Sequence, residues 1–245
     1  MTLRLLLRLI WFAFDVTLIF INYVLTAAFV PKERKRLARA KWLHRSCNQN
    51  FKVYNCKVSH EGPVPTQGLL ISNHMSYLDI LVLSSISPAV FVSKAEVRSW
   101  PIFGWLASMA GSVFIERTKR MDVGPVNRAI ETAMSEGVMV VVFPEGTSTN
   151  GEALLPFRSS LLEPAAASSR PISVCYIQYE LDDGDPKNEV CYWGDHSFVP
   201  HLLNMMKKKG VRAKVRFGTF QKTTDDRKEL AGQLREAVLK LKSGT

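Results

Sequence analysis

The sequence predicts an α/β fold: a mixed, largely parallel β-sheet flanked by helices, with an N-terminal membrane-associated helical pair. Three observations predict it. From about residue 52, short β-branched runs alternate with stretches of helical periodicity. One of those runs, VMVVVF at 138–143, lacks polar alternation and reads as a central strand buried on both faces. Before residue 52, an apolar run at 9–30 leads directly into a basic amphipathic segment. The chain therefore divides into a membrane-anchoring part at 1–51 and a folded part at 52–245.

The anchor comes first. LIWFAFDVTLIFINYVLTAAFV carries one charge, Asp15. As a helix it is about 33 Å long, enough to cross a hydrocarbon layer of about 30 Å. It is too long for the core of a cleavable signal, and no clean small-x-small site follows. Arg4, Arg8, Asp15, Asn22 and Thr26 fall within an arc of about 40° at 100° per residue. A helix with one narrow polar stripe either lies in the interface or spans with the stripe turned to a partner helix.

Pro31 ends this run. Seven Lys/Arg and one acid follow between Lys32 and Arg45, with Leu37, Ala40, Leu43 and Cys47 at helical spacing. A basic amphipathic helix after a membrane segment suits the anionic inner leaflet and places this side in the cytosol. The chain's net charge of +10 also points to an anionic partner. Nucleic acid is disfavoured, because no recognition motif or basic-aromatic strand pattern is present. Cys47, Cys56, Cys175 and Cys191 show no ligand spacing, so they read as reduced cytosolic thiols and no metal is expected.

In the folded part, strands are predicted at 52–58, 68–72, 89–93, 112–116, 138–143, 172–179, 189–193 and 212–218. Helices are predicted at 76–86, 101–110, 122–136, 159–168, 199–208 and 225–242. The last opens with Asp225/Asp226 and carries Leu230, Leu234, Val238 and Leu241 on one face.

Three stretches carry chemistry. In SNHMSYLD, the strand 68–72 stops and helical periodicity restarts at Leu78, so His74 lies on a strand-to-helix turn. Asp79 has two readings. It closes a capping box with Ser76, or it folds back onto His74, fixes the tautomer and stabilises the imidazolium. A five-residue gap on a continuous helix is about 140°, so the second reading needs the turn. GSVFIER ends a strand with Arg117, a planar cation suited to phosphate or carboxylate. VVFPEGTSTNG ends the central strand with Glu145, Gly146 and Thr147. A parallel sheet gathers all three strand ends on one edge.

NHMSYLD resembles the N-H-x4-D signature of the glycerolipid acyltransferases, of the bacterial 1-acylglycerol-3-phosphate type. GSVFIER and FPEGT are similar to the family's second and third motifs, and RPISV at 170–174 matches a fourth loosely. The resemblance covers about residues 50–220. It implies a glycerolipid-acyltransferase-like fold and a membrane-bound lysophospholipid O-acyltransferase. Acyl-CoA or acyl carrier protein would be the co-substrate and a lysolipid the acceptor, with no cofactor or metal. His74 would be the base and Asp79 its orienting partner. Asn73, Arg117, Glu145, Gly146 and Thr147 would serve the acceptor.

One departure stands out. The family usually has Arg after FPEGT, and this chain has Ser148. Either Arg158 supplies the charge, or the acceptor carries another head group, as in relatives that acylate lyso-ornithine lipids. A non-catalytic lipid-binding protein and a thioester hydrolase are the other classes. No G-x-S-x-G elbow supports a covalent serine route, which leaves Ser76 as its sole candidate nucleophile. The apolar segment 100–110 is the candidate lining for an acyl-chain tunnel, against the simpler reading of plain core.

Overall fold

The computed structural model describes residues 3–115 and 124–244, without the side chains of positions 50 and 52–54. The predicted Arg117 and the ends of two predicted elements lie outside the described residues. Helix α1 (Leu3–Tyr23) passes through a wider turn at Val24–Ala28 into α2 (Lys32–Tyr54). Strands β1 (Cys56–Glu61) and β2 (Leu69–Ser72), helix α3 (Leu78–Ile86), β3 (Ala89–Lys94), α4 (Phe103–Met109) and β4 (Val113–Ile115) follow. Next come α5 (Gly124–Ser135), β5 (Met139–Val142), α6 (Glu163–Ala167), β6 (Ile172–Leu181), α7 (Pro186–Glu189), α8 (Phe198–Met205), β7 (Val211–Phe220) and α9 (Arg227–Ser243).

Among the described residues the seven strands form one sheet in the order β1-β7-β6-β2-β5-β3-β4. Strands β6, β2, β5, β3 and β4 run parallel. β7 is antiparallel to β6 across ten paired positions, from Ile172↔Phe220 to Leu181↔Val211, and β1 is parallel to β7. The parallel part explains the β5 sequence, because Met139, Val140, Val141 and Val142 are all buried. Alternate residues serve opposite faces. Leu70, Val141 and Phe91 pack toward Trp42 of α2 and Leu83 of α3. Leu69, Val140 and Val90 pack toward Ile130 of α5 and Leu230, Leu234 and Val238 of α9. Asp226 caps α9 through the N–H groups of Lys228 and Glu229, and Gly244 takes the left-handed φ of 75° that ends it.

The predicted elements differ from this in four places. The strand expected over 52–58 begins at Cys56, because α2 runs on to Tyr54. The helix expected over 101–110 is shorter: α4 starts only after Pro101 and Ile102, whose φ is 63°, and a 3-10 turn at Ala95–Ser99 precedes it. The helix expected over 159–168 opens as a 3-10 turn at Ser159–Leu161 before α6. Residues 189–193, expected as a strand, do not join the sheet. Short helix α7 ends there, and Tyr192 instead donates its N–H to the Met75 carbonyl (2.7 Å). In this irregular segment Val190 and Cys191 are buried, while Glu189 and Tyr192 are half-buried and Trp193 is exposed.

The polar stripe of α1 turns inward. Arg4 donates to the Lys207 carbonyl (3.0 Å), and Arg8 to the carbonyls of Met206 and Lys208 (3.1 and 2.6 Å), at the end of α8. Asp15 is buried, and the Trp42 indole N–H of α2 donates to the Ile19 carbonyl. Outside that stripe α1 leaves Leu7, Ile10, Trp11, Phe14, Phe20 and Ile21 exposed. On α2, Ala40, Leu43 and Cys47 are buried as their spacing predicts, while Lys32, Arg34, Lys41 and Arg45 are exposed. All four cysteines are free thiols.

Candidate active site

The site forms at the carboxyl edge of the parallel strands, and two tethers place its central residue. The first is Asn73, whose side-chain amide extends the β2–β6 ladder by one rung. Its Nδ2 donates to the Ile177 carbonyl (3.0 Å), and its Oδ1 accepts from the Ile177 N–H (2.7 Å). Asn73, expected among the acceptor residues, is thus committed to β6 and is buried. The second is Glu145, at the end of β5. Its Oε1 accepts from the His74 N–H (2.8 Å), and its Oε2 from the Leu155 N–H (2.9 Å). Burial raises the Glu145 carboxyl above its ordinary range, and its two backbone donors oppose that. The carboxylate expected beside the acceptor therefore ties two loops together. The Thr149 N–H to His74 carbonyl bond (2.9 Å) closes the same junction.

His74 and Asp79 meet across the turn. The His74 Nδ1 lies 2.7 Å from Asp79 Oδ2. The same oxygen accepts from the N–H groups of Met75 (2.7 Å) and Ser76 (3.0 Å). Asp79 thus grips the imidazole and makes only the return half of the capping box, since the Ser76 hydroxyl has no hydrogen-bond partner among the described residues. Ser76 contributes its backbone N–H, and α3 begins at Leu78. Asp79 is fully buried and His74 partly exposed, with side-chain exposures of 0% and 22%. An ionised carboxylate only accepts, so Nδ1 carries the proton and Nε2 keeps its lone pair. The ring stacks on Phe143, with centroids 4.2 Å apart and planes at 18°.

The imidazole lines a cavity of about 210 Å³. Its walls are mainly apolar: Trp42 and Leu43 from α2, Leu81 from α3, and Trp100, Phe103, Leu106, Ala107 and Ala110 from the segment expected to line a tunnel. Lys94, at the end of β3, and Gly146, with a φ of 72°, also face it. Gly146 occupies a left-handed conformation that a larger residue resists.

The remaining predicted residues take different positions. Thr147 follows Gly146 and is half-buried. Ser148 lines the cavity and donates its hydroxyl to the Tyr192 carbonyl. Arg158 is exposed and absent from the cavity wall; its backbone N–H donates to the Pro144 carbonyl (2.8 Å). Sequence reasoning missed Lys94, Tyr179 and Tyr192. Lys94 sits at a strand end on the same edge as His74, and that position was the available signal. The two tyrosines lie more than 100 residues from His74 in sequence and left no local signal.

The arrangement is an imidazole held through one nitrogen by a carboxylate, at the wall of an apolar cavity. The acyltransferase family model matches residues 52–178. A lyso-ornithine lipid O-acyltransferase from Pseudomonas aeruginosa is 35% identical over 87% of this chain and 81% of its own length. A 1-acyl-sn-glycerol-3-phosphate acyltransferase from Neisseria gonorrhoeae is 30% identical over 74% of this chain and 72% of its own. The crystal structure of the 1-acyl-sn-glycerophosphate acyltransferase from Thermotoga maritima matches in fold, with a TM-score of 0.59 and 20% identity over 98% of this chain and 97% of its own. Family model and relatives agree, and the chain belongs to the acyltransferase family.

Proposed function

We propose that this enzyme transfers a fatty acyl group from an acyl thioester to the free hydroxyl of a lysolipid at the cytosolic face of the inner membrane. The observation that carries the reading is the His74 imidazole, anchored through Nδ1 to Asp79, at the wall of an apolar cavity. An alcohol is a poor nucleophile until a base removes its proton as it attacks. In this mechanism His74 Nε2 takes the hydroxyl proton while the oxygen bonds to the thioester carbonyl carbon. Asp79 stabilises the resulting imidazolium. The carbon–sulfur bond then breaks, the imidazolium returns its proton to the departing thiolate, and an ester and a free thiol leave. The thioester comes from acyl-CoA or acyl carrier protein, and the apolar walls hold an acyl chain.

The inward stripe and outward apolar face of α1 favour an orientation in the membrane interface, with the basic outer residues of α2 against anionic head groups.

For the acceptor, the reading favoured is a lyso-ornithine-type aminolipid. Ser148 stands where a phosphate-binding Arg is usual, its hydroxyl engages the Tyr192 carbonyl, and Arg158 lies off the cavity. The similarity to the Pseudomonas relative supports the same choice. Lys94 in the cavity wall favours a second reading, 1-acylglycerol-3-phosphate. Purified protein in liposomes, given an acyl thioester and a panel of lysolipids, separates these. Thiol release should require lysolipid, with the highest kcat/KM for lyso-ornithine lipid. Release without any lysolipid would mean a hydrolase, and no release a non-catalytic lipid-binding protein. A preference for the glycerol phosphate would reverse the acceptor choice.

A further inference from the structure

We propose that Tyr179 is a positioning residue for acyl transfer: its hydroxyl holds the Asp79 carboxylate, and through it the His74 imidazole, in the reactive orientation. The inference rests on His74 being the base.

The geometry follows from the length of β6. β6 pairs with β2 only up to Ser72↔Cys175, then runs on past the end of β2. The Asn73 amide continues the pairing at Ile177. Side chains alternate along a strand, so Tyr179 shares a face with Cys175 and Ile177, beneath the catalytic turn. Its hydroxyl donates to Asp79 Oδ1 at 2.7 Å, and the residue is only 5% exposed.

This donor completes the coordination of Asp79. Oδ2 receives His74 Nδ1, Met75 N–H and Ser76 N–H, and Oδ1 receives the tyrosine. A carboxylate has about four acceptor positions, so the group is filled by donors from the turn and from β6. Without the phenol, Oδ1 loses its anchor on β6, and Asp79 is held by the turn alone. The turn would then have freedom to rotate the carboxylate, and with it the imidazole. Other groups around this carboxylate do not replace that donor. Cys175 and Cys191 are thiols pushed by burial up to about 12, and a protonated S–H is only a weak donor. Glu145 is engaged by His74 and Leu155 N–H groups. Lys94 stands on the cavity side. Burial and the Asp79 charge hold the Tyr179 phenol well above its ordinary range, so it remains a donor at working pH.

Tyr179→Phe keeps the ring and deletes only the donor. The expected result is a roughly 10- to 100-fold loss in kcat with little change in KM for either substrate, the size expected of one charged hydrogen bond. The pH profile should also move. With one donor gone, the Asp79 charge rests more heavily on the imidazole and favours its protonated form, so the acid limb of kcat shifts to higher pH. Site-specific 3-fluorotyrosine at position 179, a stronger donor, should shift that limb to lower pH. This second variant gives a reading even where the Phe variant fails to fold. In an Asp79→Ala background, Tyr179→Phe should cost nothing further, because the tyrosine acts only through that carboxylate.

Wild-type kcat in Tyr179→Phe would overturn the inference, as would an unmoved limb in the fluorotyrosine enzyme or an additive loss in the Asp79→Ala background. Those results leave the base assignment intact so long as His74→Ala is inactive. Normal turnover by His74→Ala would remove the base assignment itself.

Discussion

His74 and His201 are both held by side chains of the same chain segment, yet the two settings differ in charge and in access. His201, on α8, is 7% exposed and has both ring nitrogens occupied. Nε2 faces the Cys191 carbonyl (3.2 Å), and Nδ1 faces the Tyr77 hydroxyl (3.0 Å). A carbonyl only accepts, so Nε2 carries the proton and Nδ1 accepts from the phenol. Both partners are neutral, and the imidazole packs edge-on against Tyr77 and Tyr192. Burial, with His196 nearby, pushes His201 down to about 4. At His74 one partner is an ionised carboxylate, and the ring borders the cavity. A histidine becomes a base through asymmetry, with charge on one nitrogen and an open approach to the other. Tyr77 belongs to the turn that carries His74, so a single loop supports both arrangements.

The strongest way to break this comparison is to exchange the losses. His74→Ala should lower kcat by about 10²–10⁴-fold, the contribution typical of a general base. Its thermal unfolding midpoint should stay near wild type, because the ring is partly exposed. His201→Ala should show the reverse, with a clear drop in the midpoint and turnover retained at permissive temperature. Steady-state assays with unfolding curves on both variants check it, and equal kcat losses would erase the distinction.

A sharper version concerns how His74 is held rather than what it does. Glu145→Gln keeps the shape but turns one acceptor into a donor facing an N–H group, of His74 or of Leu155. A buried N–H left facing a donor should cost about 2–3 kcal/mol of stability. Denaturant unfolding measures this. KM for the acceptor should change little, because the carboxylate serves backbone groups rather than the cavity. A large rise in acceptor KM at unchanged stability would return Glu145 to acceptor binding.

The contrast between the histidines also marks what was legible from sequence. The His74–Asp79 pair was readable because both lie within one turn, where residue order dictates proximity. The inward stripe of α1 was readable for the same reason, since 100° spacing fixes a face whatever the partner. The buried β5 announced itself through VMVVVF. Residues 189–193 misled because an apolar run reports burial, not pairing: the Val190 and Cys191 N–H groups go to the Pro186 carbonyl, and the N–H and C=O of Tyr192 go to Met75 and Ser148. Tyr179 was invisible for a related reason. Its place under Asp79 depends on the β2–β6 register, and its donor–acceptor pair is separated by 100 residues. The reversed direction of β7 likewise has no local cause, because either direction offers the same apolar alternation to its neighbour.

The smallest expected effect tests the sealed histidine through pH. His201 sits at about 4 when folded, against 6.5 when free. Between those values the unfolded chain takes up a proton that the folded one refuses. The stability tied to neutral His201 is therefore complete above about pH 6.5 and is lost as pH falls toward 4. Between pH 7 and pH 5 the loss is about 2 kcal/mol. His201→Gln offers a donor for the Cys191 carbonyl and an acceptor for the Tyr77 hydroxyl without a titrating group. The variant should be less stable than wild type at pH 7, since the flexible amide fills the aromatic pocket less well. The deficit should shrink as pH falls to 5, because only wild type loses stability through this proton. Denaturant unfolding at the two pH values measures the difference of differences. A constant deficit would show that His201 accepts a proton while folded, and the two histidines would then differ in exposure alone.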